Sequence, residues 1–289
     1  MAETNTKTEY SVEYIQIGSY KHPLILKRET TLWAINYKPR DVDRFLVTYP
    51  KSGTTWTQQI IRLIMNSGVL TTDDQLFFRR FFIEQIGSQL IPNLESDTCT
   101  GVGGIQCIKT HLPSPLLPYN PRAKYLWVLR NPKDVCVSYY HYRKHIQSFD
   151  DHFDTWISGE MEGGDYFEYV RRYWDRSADN VDKNFTVLLY EQMHRNIRES
   201  VLKVADFLGP EYRSALLANG ETILDLVVRN SQLDNMKSFH TSNHYMRKGI
   251  VGDWRSRLSR AQSHLIDQRV RECWVGTGLD LIWAEDLKW

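Results

Sequence analysis

The sequence predicts an α/β fold: one three-layer domain with a mainly parallel sheet and a P-loop-like turn at a strand end. Three observations predict it. Four short apolar runs, Phe45–Thr48, Gly104–Ile108, Tyr125–Leu129 and Thr186–Leu189, read as strands covered on both faces by helices. At least two of these runs lead directly into helical patterns, the alternation that builds a parallel sheet. Each run also delivers polar residues at its C-terminal end, where ligands of such folds bind.

The first helical pattern follows Gly53. In TTWTQQIIRLIMNSG the residues Trp56, Ile60, Leu63 and Ile64 fall on one stripe, and Gly68 is a stop signal. The second follows Pro132, with acidic Asp134 in its first turn and basic residues in its last, as the helix dipole favours. A third, near Glu199–Leu208, ends at Gly209-Pro210. No internal repeat or linker divides the chain, so residues 1–289 read as one domain.

Composition bounds the function. With 42% hydrophobic and 25% charged residues, the chain can fill a core and is not disordered. A net charge of +1 excludes a protein that holds nucleic acid through its overall field, but leaves room for a local cationic pocket. The four cysteines, Cys99, Cys107, Cys136 and Cys273, show neither a C-x-x-C pair nor zinc spacing. The polar N-terminus lacks a signal-peptide core, and no apolar run approaches the roughly 18 residues of a membrane span. The expectation is a cytoplasmic protein with reduced thiols, no metal, and neither nucleic-acid nor membrane partners.

Four segments carry chemistry. Thr48–Trp56, TYPKSGTTW, lies between a strand and a helix. Free backbone N–H groups and the helix N-terminus there form an anion cradle, with Lys51 as a point charge and Ser52, Thr54 and Thr55 as donors. An ordinary βα turn would account for Gly-Thr-Thr alone, but not for the added Lys and Ser. A Walker A loop would place its lysine after the second glycine; here Lys51 precedes Gly53. In Trp127–Tyr142 a strand ends at Arg130 and Ser138 follows in the second helical turn. In Cys107–Pro113, Lys109 and His111 stand two residues apart, so their side chains can project to one side. A histidine there can serve as a general base. Tyr245–Trp254, YMRKGIVGDW, sets Arg247 and Lys248 beside Gly249, a loop able to close on a phosphate.

Together these segments resemble the PAPS-dependent cytosolic sulfotransferase family, over roughly residues 40 to 255. TYPKSGTTW is similar to that family's 5′-phosphosulfate loop, RNPKDVCVSYYH to its 3′-phosphate element and RKGIVGDW to its C-terminal signature. KTHLP and LLYEQM also fit. The resemblance implies that Lys51, Ser52, Gly53, Thr54, Thr55 and Trp56 bind the phosphosulfate and flank the adenine. Arg130, Ser138, Arg247, Lys248 and Gly249 would hold the 3′-phosphate, Tyr190 would touch the adenine base, and Ser231 would also bind the nucleotide. It implies His111 as catalytic base, with Lys109 on the sulfonate and Lys51 on the leaving oxygen. PAPS is then the donor co-substrate, PAP the product, and no metal is required.

Two departures from the family pattern stand out. Gln232 and Leu233 occupy the places of a Ser-Phe pair that contacts the nucleotide. Arg255, Ser259-Arg260 and His264 replace the usual dimer motif, so a monomer, or a dimer on another surface, is expected. Phe81, Phe82, Tyr142, Tyr166, Phe167 and Tyr245 are candidates for an acceptor pocket suited to a phenol, a catechol amine or a steroid. A nucleotide kinase and a non-catalytic PAP-binding protein are the rival classes. The first is opposed by the misplaced lysine, the second by the intact Lys51, Lys109 and His111 set.

Overall fold

The structure, a computed structural model, describes all residues except 1–13, 18–19, 24, 71–80, 96–106, 144–146, 179–183 and 240–246. Among the described residues an antiparallel pair, β1 (Tyr14–Ile17) and β2 (Tyr20–Pro23), precedes a four-stranded sheet. That sheet comprises β3 (Arg44–Thr48), β4 (Cys107–Thr110), β5 (Lys124–Leu129) and β6 (Phe185–Leu189) in the order β4-β3-β5-β6. Every pairing in it is parallel. The expected strands are therefore present; the part of the second run before Cys107 lies outside the described residues.

Alternate residues of each strand feed separate cores. Phe45 and Val47 of β3, with Tyr125, Trp127 and Leu129 of β5, face one layer. Leu46, Leu126 and Val128 face the other. Helices Pro132–Tyr142, Phe149–Ile157, Tyr166–Ala178 and Arg260–Trp274 cover the first face. Helices Thr54–Met65, Ile197–Leu208, Pro210–Leu217 and Thr222–Asn230 cover the second. Burial on both faces explains why the strands read as continuous apolar runs.

The helix punctuation holds with one addition. Gly68, at φ +82°, follows Thr54–Met65 and its N–H donates to the Leu63 carbonyl at 2.7 Å, satisfying an end carbonyl. Gly209-Pro210 ends one helix and at once begins another, because proline suits a first helical position as well as a stop.

The strand order places the site. From β3 the chain crosses to β4 on one side, and from β5 it crosses to β6 on the other. The carboxyl ends of β3 and β5 therefore flank a topological switch point, where a crevice opens. The loops leaving these two strands begin at Tyr49 and Arg130.

Candidate active site

The loop after β3 is shaped by two unusual backbone positions. Lys51 has φ +72° and Gly53 φ +109°. A Cβ at Gly53 would lie 2.7 Å from the Tyr190 ring, so glycine is required by both conformation and contact. The helix Thr54–Met65 starts directly from this turn and aims its first N–H groups at the crevice.

Across the switch point Arg130 donates from Nη1 to the Lys51 carbonyl (3.2 Å) and from Nη2 to the Ile250 carbonyl (3.3 Å). Its guanidinium carbon lies 4.2 Å from the Tyr190 ring centroid. Its Nε is buried without a protein partner, a donor left over for a ligand. Arg130 thus ties the β3 loop, the β5 end and the C-terminal loop together.

The C-terminal loop is held from the same helix start. Asn131 caps Pro132–Tyr142, and Asp134 accepts from Asn131 Nδ2 (2.8 Å), Gly252 N (2.8 Å) and Trp254 N (3.0 Å). Buried Asp253 pairs with Arg247 and, at 2.8 Å, with Lys248 Nζ. Both cations are thereby fixed beside the crevice. Sequence reasoning assigned Asp134 only a dipole role; the structure adds this clamp.

His111 sits just beyond β4. Its Nδ1 donates to the Thr48 carbonyl at 2.7 Å and lies 3.0 Å from Thr48 Oγ1, which is hydrogen-bonded to Thr54 Oγ1 at 2.7 Å. A carbonyl can only accept, so the proton is on Nδ1 and the lone pair on Nε2. The His111 N–H donates to buried Glu84 Oε1 at 2.6 Å. Burial first, then the Lys109 charge and the Lys51 charge, push the imidazole down to about 3, while its Thr48 contact opposes them. This lies below the near-neutral value that an unperturbed histidine offers. Burial also brings Lys51 down to about 7, helped by Arg130, Lys109 and Arg247, and lifts Glu84 to about 7. Lys51 Nζ lies 4.6 Å from the Tyr142 ring centroid, and Lys109 Nζ 4.1 Å from that of Phe82.

One cavity of about 840 Å³ takes in both loops. Of the expected residues, Lys51, Gly53, Thr54, Thr55, Trp56, Lys109, His111, Arg130, Ser138, Tyr190, Ser231, Arg247, Lys248 and Gly249 line it, with Phe82 and Tyr142. Ser52 is buried behind the loop and is not at the wall. Phe81, Tyr166 and Phe167 are buried in the core and do not line the cavity. Phe82 bridges Lys109 in strand fashion, so Phe81 and Phe82 point to opposite sides. Tyr166 and Phe167 are drawn into a ring cluster with Trp156 and Trp274. Tyr245 lies outside the described residues.

Sequence reasoning missed several lining residues. Tyr20, Pro23, Ile25 and Leu26 come from the β1–β2 hairpin region, whose signal was the alternation around Gly18-Ser19. Tyr139, Glu162 and His194 also line the cavity. The His194 ring centroid lies 4.7 Å from Trp56 and 4.8 Å from Tyr190, making a three-ring wall in the cavity that Leu233 also lines. Trp56 Nε1 donates to the Ser231 carbonyl at 2.8 Å and fixes that wall. The donor set fits an adenine nucleotide with two separate anionic groups: a ring wall, an N-terminal helical cradle and a second cationic patch. Among the described residues no group of three His, Cys, Asp or Glu side chains could hold a metal ion.

Comparison with known proteins identifies the family. Residues 41–278 match the sulfotransferase domain family. Rabbit (Oryctolagus cuniculus) sulfotransferase 1C2 is 30% identical over 272 residues, 85% of this chain and 87% of the relative. Rabbit amine sulfotransferase is 28% identical over 279 residues, 86% of each chain. The crystal structure of mouse sulfotransferase SULT7A1 complexed with PAP superposes with a TM-score of 0.76 at 22% identity, covering 94% of this chain and 97% of that one. The chain belongs to the PAPS-dependent sulfotransferase family.

Proposed function

We propose that the chain transfers a sulfonate group from PAPS to a hydroxyl, or amine, of a small-molecule acceptor such as a phenol, a catechol amine or a steroid, with His111 as general base. The observation that carries this reading is the Nδ1–H bond from His111 to the Thr48 carbonyl. It fixes the tautomer and leaves Nε2 as acceptor in the same cavity as Lys51 and Lys109. In an in-line displacement the acceptor oxygen bonds to sulfur as the sulfur–bridging oxygen bond breaks, and the acceptor proton passes to Nε2. Lys51 neutralises charge at the departing oxygen and Lys109 at the sulfonate. Both cations depress the basicity of His111, so anionic groups beside them restore part of it. Glu84 holds the His111 backbone. Labelled transfer from PAPS to a panel of phenols, amines and steroids tests the reading; no transfer to any of them overturns it. The relative named amine sulfotransferase supports including amines.

Donor recognition is assigned to the residues that line the cavity on the Arg130 side. Ser52 stands away from the wall, and its backbone N–H donates to the Tyr49 carbonyl at 3.2 Å, so it shapes the turn around Lys51. Arg130, Arg247 and Lys248 form a cationic set separate from the Lys51 loop, and charge-assisted hydrogen bonds contribute about 1.5–3 kcal/mol each. PAP is therefore expected to bind at least about tenfold more tightly than adenosine 5′-monophosphate, by calorimetry. Equal affinity would remove these three residues from donor binding.

Residues 1–289 are read as one sulfotransferase domain, cytoplasmic, and a monomer or a dimer built on a surface other than the family's usual motif. Ser259 caps the helix Arg260–Trp274 in a capping box with Gln262, and Arg255 donates to the Lys288 carbonyl. These side chains are engaged within the chain where the family's dimer contacts would be. Light scattering across a concentration series is expected to give a monomer, or a dimer that substitutions in Arg255–His264 leave intact; a tight dimer that those substitutions disrupt would contradict it.

A further inference from the structure

The cavity wall is electrostatically lopsided. Five cations line it, Lys51, Lys109, Arg130, Arg247 and Lys248, and among the described residues a single carboxylate, Glu162. The cations serve the donor and its transferred group. The cation that acts on Glu162 is Arg143, which is none of these five. Its neighbour Gly163 donates its N–H to the Lys21 carbonyl at 2.9 Å, binding this turn to β2. The Gly164 carbonyl accepts from Tyr49 at 2.9 Å. Burial first, then the charges of Glu84, which holds the His111 backbone, and of Glu162, raise the proton affinity of the Tyr20 hydroxyl on β2. The Tyr139 hydroxyl contacts the Glu162 carbonyl at 3.1 Å and its Oε2 at 3.4 Å.

This carboxylate is poorly compensated. Burial raises its proton affinity, and only Arg143 and Tyr139 oppose that rise. The Arg143 guanidinium itself is turned to Met161 Sδ at 3.7 Å. Lys21, the nearest lysine on the hairpin, pairs instead with Glu160 at 2.6 Å. A half-buried carboxylate in an aromatic wall, with no cation in an ion pair to it among the described residues, is matched by a ligand cation. Tyr20 and Tyr139, which line the cavity with Glu162, add aromatic surface that also favours an ammonium group.

We infer that Glu162 selects acceptors that carry an ammonium group apart from the reacting hydroxyl, such as a phenol with an alkylammonium tail. This rests on the sulfonate-transfer reading and names the acceptor class for that site. Hydroxyl and ammonium then occupy opposite ends of the acceptor space, the neutral nucleophile at His111 and the cation at Glu162. A bare apolar steroid would leave the carboxylate desolvated and unpaired, which disfavours it.

The test compares tyramine, 4-ethylphenol and 3-(4-hydroxyphenyl)propanoate, three phenols that differ in tail charge. In the unaltered enzyme kcat/KM for tyramine is expected to exceed that for 4-ethylphenol by about ten- to a hundredfold, as one charge-assisted contact allows. E162Q is expected to collapse that ratio, chiefly through KM, and E162K to turn preference toward the propanoate. Calorimetry of tyramine with the PAP-bound enzyme gives a second readout that needs no turnover, and PAP binding itself reports that each variant is folded. Equal kcat/KM for tyramine and 4-ethylphenol in the unaltered enzyme overturns the inference, as does a ratio that E162Q leaves intact. If tyramine binds in a Glu162-dependent way yet no phenol is sulfonated, the inference stands and the hydroxyl-transfer reading falls.

Discussion

Replacing His111 with alanine is expected to lower turnover with a phenolic acceptor by roughly 10²–10⁴-fold, the usual contribution of a general base. PAP affinity is expected to stay close to that of the unaltered chain, because Arg130, Arg247 and Lys248 remain in place. The separation of the two effects is the point of the experiment. A residue that merely supports the loop would perturb both, since Thr48 connects His111 to Thr54 at the start of the helix. The imidazole also has a stability signature. Its folded value of about 3 lies below the unperturbed 6.5. Between these values the unfolded chain binds the extra proton, so stability falls as pH drops from 6.5 toward 3. The alanine variant is expected to lose this part of the acid sensitivity. Near-normal turnover in His111→Ala would end the proposed mechanism.

Replacing Lys51 with alanine is expected to weaken PAP binding by about ten- to a hundredfold and turnover by roughly 10²–10³-fold. Both fall because one ammonium group serves the ground state and the departing oxygen. Its titration offers a sharper check. Burial and the neighbouring cations leave Lys51 half-protonated near pH 7, and an anionic ligand raises that value. Above pH 7 binding must therefore take up a proton. PAP affinity is expected to decline by up to about tenfold per pH unit above 7, until the raised value in the complex is reached. The Lys51→Ala variant should lack this limb. A slope that survives the substitution would assign the proton to another group.

The donor half of the site was legible in the sequence because it is local. Lys51, Gly53 and Arg130 sit at the ends of strands whose two-sided burial writes itself as apolar runs. The switch point that joins them follows from strand order. The rest of the cavity wall comes from segments near 20–26, 82–85, 139–142 and 162, where the lining residues are mostly ordinary aromatic and apolar side chains and one glutamate, Glu162. No spacing in the chain announces that Tyr20 and Glu162 will meet. Aromatic composition misdirected the reading at Phe81, Tyr166 and Phe167, since the same rings that suit a pocket pack better in a core. His111 shows a third kind of gap. Its identity and place were readable, but its depressed proton affinity depends on burial and on two lysines brought near by folding.

The clamp made by Asp134 has a consequence for how the protein comes into being. Gly252 and Trp254 reach this carboxylate from 118 and 120 residues away along the chain. Buried Lys133, its neighbour, donates to the Leu287 carbonyl at 2.6 Å. During synthesis the sheet and the β3 loop can form long before these partners leave the ribosome. The nascent chain then has a fold but no closed donor site. Contacts of such long separation are costly to close and come late. The clamp on the Arg130 side of the cavity therefore closes only after Gly252 and Trp254 have docked on Asp134.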